Sequence, residues 1–175
     1  MNEKNKELLS VMEETTVKMI VKEYEKFKDK LDIFHVAFSG GKDSAVLLDL
    51  VKKALPKGSF VVIFGDTGME FPDTYKAVEL TKEQCEKDGT PFYIARSHFN
   101  PEDSWKVFGP PARVLRWCCS VHKSTPQTLK MREITGKNNY IGLDFVGVRK
   151  EESLARSKYD YENFGKKQKG QFSFN

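Results

Sequence analysis

Val36-Ala37-Phe38-Ser39-Gly40-Gly41-Lys42-Asp43-Ser44 runs straight into Ala45-Val46-Leu47-Leu48-Asp49-Leu50-Val51. The apolar run from Ile33 to Phe38 predicts a buried strand. It breaks at two glycines and restarts with apolar residues at helical spacing. A strand, a Gly-rich turn and a helix start present backbone N–H groups and the positive end of a helix dipole to an anion. Glycines allow positive φ and let a ligand approach the backbone closely. Ser39 and Ser44 add hydroxyl donors and Lys42 a compact positive charge. The stretch therefore predicts a phosphate or sulfate cradle. The alternative is a Gly-rich turn whose Ser or Asp merely caps the helix.

Two better-known phosphate motifs do not fit. The Walker A pattern fails because Val36 stands where its first glycine belongs and Asp43 follows Lys42. The dinucleotide pattern G-x-G-x-x-G fails because the two glycines are adjacent.

Working outward, residues 3 to 30 predict one charged amphipathic helix, with Leu8, Met12, Met19, Ile20, Tyr24 and Phe27 near helical spacing. It suits packing on the domain, and a homo-oligomer interface is compatible with it. Ala45 to Leu55 forms the first crossover helix, stopped by Pro56 and Gly58. Phe60 to Phe64 is a second strand, and strand–helix–strand implies a parallel sheet. Ligands in such sheets lie at the carboxyl ends of the strands, which points to Asp66, Thr67 and Gly68. Pro72 and Asp73 start the next helix, which ends near Gly89 and Pro91 and carries Cys85 as a surface or half-buried thiol. Phe92 to Ala95 is a third strand. Arg96 to Arg116, with four breaking residues (Pro101, Gly109, Pro110 and Pro111), reads as a long irregular segment. Tyr140 to Val146 is a further strand, followed by Gly147 and by Arg149, which can grip a phosphate in bidentate fashion. Glu152 and Arg156 stand one helical turn apart and suit an ordinary ion pair. From Ser157 the chain is charged and is expected to be loose.

The second informative stretch is Arg116-Trp117-Cys118-Cys119-Ser120-Val121-His122-Lys123-Ser124-Thr125-Pro126. Adjacent cysteines bridge each other only with strain. Basic neighbours near a helix start favour thiolates, so Cys118 and Cys119 are candidate metal ligands. Two ordinary core cysteines remain the plainer reading.

Composition narrows the class. A chain of 175 residues suits one domain. With 39% apolar and 31% charged residues it is globular rather than disordered. Three cysteines do not make a disulfide framework, and no apolar run reaches the length of a membrane span. The start of the chain lacks a secretory core, so the expectation is a cytoplasmic protein with no membrane partner. A net charge of +4 suits an anionic ligand, but scattered lysines argue little for nucleic acid.

Together, Ser39–Ser44, Asp66–Thr74, Arg116–Pro126 and Gly147–Arg156 resemble the phosphoadenylyl-sulfate (PAPS) and adenylyl-sulfate (APS) reductases of the PP-loop ATP pyrophosphatase superfamily. The likeness runs from about residue 33 to 157, with the motifs in the same order and spacing. It implies an α/β fold, a parallel sheet with helices on both faces. It divides the chain into a packing helix at 1–30, a PP-loop nucleotide-binding domain at 31–157 and a charged tail at 158–175. Ser39, Gly40, Gly41, Lys42, Asp43 and Ser44 would bind the phosphate or phosphosulfate of an adenylyl nucleotide (APS, PAPS or ATP). Asp66, Thr67 and Gly68 would line the nucleoside crevice, and Gly147 and Arg149 would meet the anionic end.

In such reductases a cysteine thiolate attacks the activated sulfur, and thioredoxin-like thiols reduce the resulting thiosulfonate. Cys118 and Cys119 resemble half of the ligand set of a [4Fe-4S] cluster. The other cysteine pair and the attacking cysteine of the family are not found in this sequence. The chain is thus expected to be the nucleotide-binding part of a longer protein, with its catalytic residue unassigned. Two alternatives use the same loop: an ATP-dependent sulfurtransferase acting on nucleic acid, and a non-catalytic nucleotide-binding module.

Overall fold

The computed structural model describes residues 2–112, 115–149, 162–164 and 171–174, the last two segments by their backbone. Helix α1 (Glu3–Phe27) precedes strand β1 (Ile33–Phe38), helix α2 (Lys42–Ala54), strand β2 (Val61–Asp66), helix α3 (Pro72–Asp88) and strand β3 (Phe92–Arg96). Helix α4 (Pro101–Phe108) and the short α5 (Trp117–Cys119) follow. A π-helical stretch (Ser120–Ser124) then runs into α6 (Thr125–Thr135), before strands β4 (Gly142–Phe145), β5 (Glu162–Phe164) and β6 (Gln171–Phe174). The strands form one sheet in the order β3-β2-β1-β4-β6-β5, parallel throughout except for β5, which runs antiparallel to β6. The expected α/β fold is present, as a parallel sheet with helices on both faces.

Period-two alternation assigns the two faces. Phe34, Val36, Phe38, Val62, Phe64, Leu143 and Phe145 point to one side, where Ile20 of α1, Leu48 and Val51 of α2, and Val78 and Cys85 of α3 close the larger core. Ile33, Ile63 and Ala95 point to the other, under Met131 of α6 and Tyr140. On that second face His35 is buried beside Asp144, its partner in register on β4. Nε2 and Oδ1 are 2.8 Å apart without the alignment of a hydrogen bond.

Three expectations change. Arg96 to Arg116 is not irregular throughout, because it contains α4. Asn100 caps that helix by accepting from the Glu102 N–H at 2.8 Å, Pro101 opens it and Gly109 ends it at φ 73°. The cap, the proline and two first-turn acids are a helix-start signature that the surrounding breakers obscured. The tail is not all loose, because β5 and β6 extend the sheet from within it. Gln171-Phe172-Ser173-Phe174 has the alternation of a strand, which a reading by charge alone passes over.

Cys85, expected near the surface, is fully buried in the larger core. Burial pushes its thiol up, partly offset by nearby Lys52. Its neighbours in sequence are charged, but its own helical position points inward. Cys85→Ser should therefore cost about 1–3 kcal/mol, because it buries a hydroxyl among apolar groups. Cys119→Ser, at an exposed site, should stay within about 0.5 kcal/mol. Urea unfolding midpoints of the two variants check this.

Among the described residues, no helix is long and apolar enough to cross a membrane.

Candidate nucleotide-binding site

The sheet order places a topological switch point beside β1. The chain leaves β1 for β2 and β3 on one side, then returns to β4 on the other. A crevice is expected outside the carboxyl ends of the strands at such a point. The Ser39–Ser44 loop leaves β1 there and becomes the first turn of α2.

Gly40 takes φ 75°, and a Cβ on it would lie 2.8 Å from Cγ2 of Thr74 in α3. Only glycine suits that position. Gly41 differs. Its backbone is extended (φ −93°, ψ 164°), it is the N-cap of α2, and a Cβ there would meet only the Ser39 hydroxyl, at 3.5 Å. No side chain caps this helix, so the amides of its first turn lack a side-chain acceptor. Open space and uncapped amides are what an anion at a helix start requires.

Ser44 has a different role from the expected donor. Its buried hydroxyl donates to the Gly41 carbonyl at 2.8 Å, and accepts from the Ser39 amide at 3.2 Å and the Ser39 hydroxyl at 3.1 Å. It braces the turn from inside. Lys42 is exposed at the loop.

The segment after β4 closes on the same turn. A Cβ on Gly147 would lie 2.9 Å from the Asp43 carbonyl oxygen, so glycine permits the two backbones to touch. Arg149 Nε lies 3.1 Å from Asp43 Oδ2. Gly147 and Arg149, a hundred residues from the loop, thus stand at the cradle. Lys150 to Arg156, including the Glu152–Arg156 pair, fall outside the described residues.

Asp66 ends β2 as a buried carboxylate. It accepts from the Gly68 amide and the Tyr75 hydroxyl, both at 2.8 Å, and pairs with Arg96 at 3.6 Å. Burial first, then the bond to Asp66, push the Tyr75 phenol up. Thr67 donates to Glu70 at 3.0 Å and accepts from the Met69 amide. These side chains hold the β2–α3 turn in shape. Tyr75 and Arg96 are contributors the sequence reading missed. Only the tertiary fold brings them to Asp66.

Cys118 and Cys119 stand just before the π-helical stretch, on the chain segment that leads into α6. The π-helical stretch and α6 pack on β2, where a Cβ on Gly65 would collide with Gln127 and approach Lys123. A π-helical stretch of this kind is often found at functional sites. At Cys118 the shift runs opposite to the expected lowering. Burial, and then the adjacent Cys119 thiol, push Cys118 up. His122 supplies no charge, since it is buried against Ser104 (Nε2 to Oγ 3.0 Å) and burial lowers its pKa.

A four-thiolate cluster does not fit the described donors. Cys118 and Cys119 make two, and Cys85 lies in the core of the opposite face. No group of three His, Cys, Asp or Glu able to hold a metal occurs among the described residues.

The model of the phosphoadenosine phosphosulfate reductase domain matches residues 33–175. The chain belongs to that family. An uncharacterized protein of Methanocaldococcus jannaschii is 37% identical over 158 residues, which is 87% of this chain and 30% of that protein. An adenosine 5'-phosphosulfate reductase of Geobacillus is 29% identical over 144 residues, 78% of this chain and 54% of that enzyme. The family member therefore spans roughly a third to a half of these relatives. A phosphoadenylyl-sulfate reductase of Candida auris, solved as a phosphate complex, shares the fold. Its TM-score is 0.56 at 17% identity, covering 89% of this chain and 70% of that one.

Proposed function

We propose that this chain binds an adenylyl sulfonucleotide at the Ser39–Ser44 loop, as the nucleotide-binding part of an APS or PAPS reductase. The observation that carries the reading is the uncapped start of α2 at the switch point, with open space over Gly41. In this proposal the amides of the first turn and Lys42 hold the anionic end, and Arg149 leaves Asp43 to grip it. Asp66, Thr67 and Gly68 shape the nucleoside side. The reaction is attack by a cysteine thiolate on the activated sulfur. The sulfur–oxygen bond to the nucleotide phosphate breaks, and the nucleotide leaves as its phosphate. The cysteine keeps a thiosulfonate, and a thioredoxin-like dithiol supplies the two electrons that release sulfite.

The titration of the chain with APS, PAPS and ATP by calorimetry tests the binding step. A sulfonucleotide should bind, and Arg149→Ala should weaken it roughly tenfold, by loss of one charge-assisted contact. No binding of any of the three would defeat the proposal. Tight binding of ATP alone, with pyrophosphate released, would instead favour the sulfurtransferase reading. Metal ligation by Cys118 and Cys119 is proposed only together with donors outside the described residues.

A further inference from the structure

We infer, on the reading that an adenylyl nucleotide occupies the Ser39–Ser44 loop, that Gln127 of α6 reads the edge of its adenine base. The carboxamide of Gln127 arrives at Gly65, the last residue but one of β2. A Cβ on Gly65 would lie 2.2 Å from Gln127 Nε2 and 3.1 Å from its Cδ, so glycine leaves the space that the carboxamide fills. Gly65 does not have a positive φ, so its backbone does not call for glycine. The side chain of Gln127 does.

Sheet register sets this carboxamide beside the loop. Phe38 pairs with Phe64 across β1 and β2. Gly65 is the next residue along β2, and Ser39, which opens the loop, is the next after β1. Neighbouring strands lie about 4.8 Å apart. Gln127 thus stands one strand over from the loop, at the carboxyl end of the sheet, where a switch point places a ligand. It reaches that end from the face covered by α6, whereas the cradle belongs to α2 on the opposite face. A nucleotide held by its phosphate at α2 and lying across the strand ends brings its far end, the base, to Gln127.

The chemistry of the side chain suits a base better than a phosphate. Asp66, Thr67, Tyr75 and Arg96 are all engaged with protein neighbours. Gln127 is half-buried, and its carboxamide makes no hydrogen bond among the described residues. A half-buried amide of this kind calls for a partner. It offers a donor and an acceptor side by side. Adenine presents the complementary pair, its N6 amino group beside a ring nitrogen, and glutamine meets that edge with two hydrogen bonds. A phosphate only accepts, and would leave the Gln127 oxygen unused.

Calorimetry with AMP and with purine riboside 5′-monophosphate, which lacks the N6 amino group, tests this. Inorganic pyrophosphate serves as a probe of the cradle alone. The native chain should prefer AMP by about tenfold or more. Gln127→Leu keeps the bulk and removes both hydrogen-bonding groups. It should bind the two nucleotides alike and pyrophosphate as the native chain does. Gly65→Ala should lose the same preference, because its Cβ takes the place of the carboxamide. A preference for AMP that survives in Gln127→Leu or in Gly65→Ala would overturn the inference. So would loss of pyrophosphate binding in Gln127→Leu, which would make the residue a prop of the cradle. A native chain that binds both nucleotides equally would overturn the role of Gln127 and leave the nucleotide site standing. A native chain that binds neither would defeat the site itself, and this role with it.

Discussion

Gly41→Val is expected to abolish nucleotide binding while leaving the chain folded. The extended backbone at this position is one that valine adopts readily (φ −93°, ψ 164°). The new Cβ touches nothing but the Ser39 hydroxyl, at 3.5 Å, so the cost to the fold is limited to the poorer N-cap that valine makes. The branched side chain would instead occupy the space through which an anion reaches the first-turn amides of α2. Losing two hydrogen bonds to a charged group forfeits about 1.5–3 kcal/mol each. The affinity should fall by about a hundredfold or more.

Gly40→Val separates this cause from general damage. Its φ of 75° and the 2.8 Å approach to Thr74 make it a folding lesion, visible as a lowered melting temperature. Calorimetry with APS and PAPS, alongside thermal melts, distinguishes the two. A well-folded Gly41→Val chain with native affinity would remove the anion from this loop.

Much of this arrangement is legible in the sequence, because local physics writes it there. The apolar run Ile33–Phe38 and the break at Gly40-Gly41 fix β1, the turn and α2 with little error. The β-branched and aromatic residues Phe60–Phe64 do the same for β2. Gly89 ends α3 in the left-handed conformation that its place after Asp88 suggests.

What stayed hidden depends on how the chain turns back on itself, close in sequence at Ser44 and far from it at Asp66. Nothing local to Ser44 says that its hydroxyl is used up inside the turn. That follows from Gly41 and Ser39 curling over it. Nothing near Asp66 announces Arg96, which arrives only because β3 lies in register beside β2. Cys118 misleads for the same reason. Arg116, His122 and Lys123 look like a basic setting in the sequence, but folding turns His122 inward to Ser104 and leaves Cys118 half-buried beside a second thiol. A place for Gly147 and Arg149 at the anion loop is what the family likeness implies and spacing does not, since β4 reaches β1 only after five intervening α-helices and two strands.

The 175-residue chain is also expected to bind sulfonucleotide without releasing sulfite at enzymatic rates. Binding draws on the loop, the β2–α3 turn and Arg149. Reduction needs in addition a thiolate that reaches the sulfur and afterwards meets a reductant. The chain has three cysteines, and their positions can be weighed one by one. Cys85 is enclosed by the core between the sheet and α2 and α3, where neither ligand nor thioredoxin has access. Cys118 is half-buried, and burial followed by the adjacent Cys119 thiol pushes its thiol up, the opposite of what activates a nucleophilic cysteine. Cys119 is exposed, but the π-helical stretch it leads into packs with α6 on the face of the sheet opposite α2, whose first turn forms the cradle. The decisive assay mixes the chain with APS and PAPS, dithiothreitol and thioredoxin, and measures sulfite against a no-protein blank. Clear nucleotide binding with blank-level sulfite is the expected result. Sulfite at enzymatic rates, lost in Cys119→Ser or Cys118→Ser, would make the vicinal pair the nucleophile.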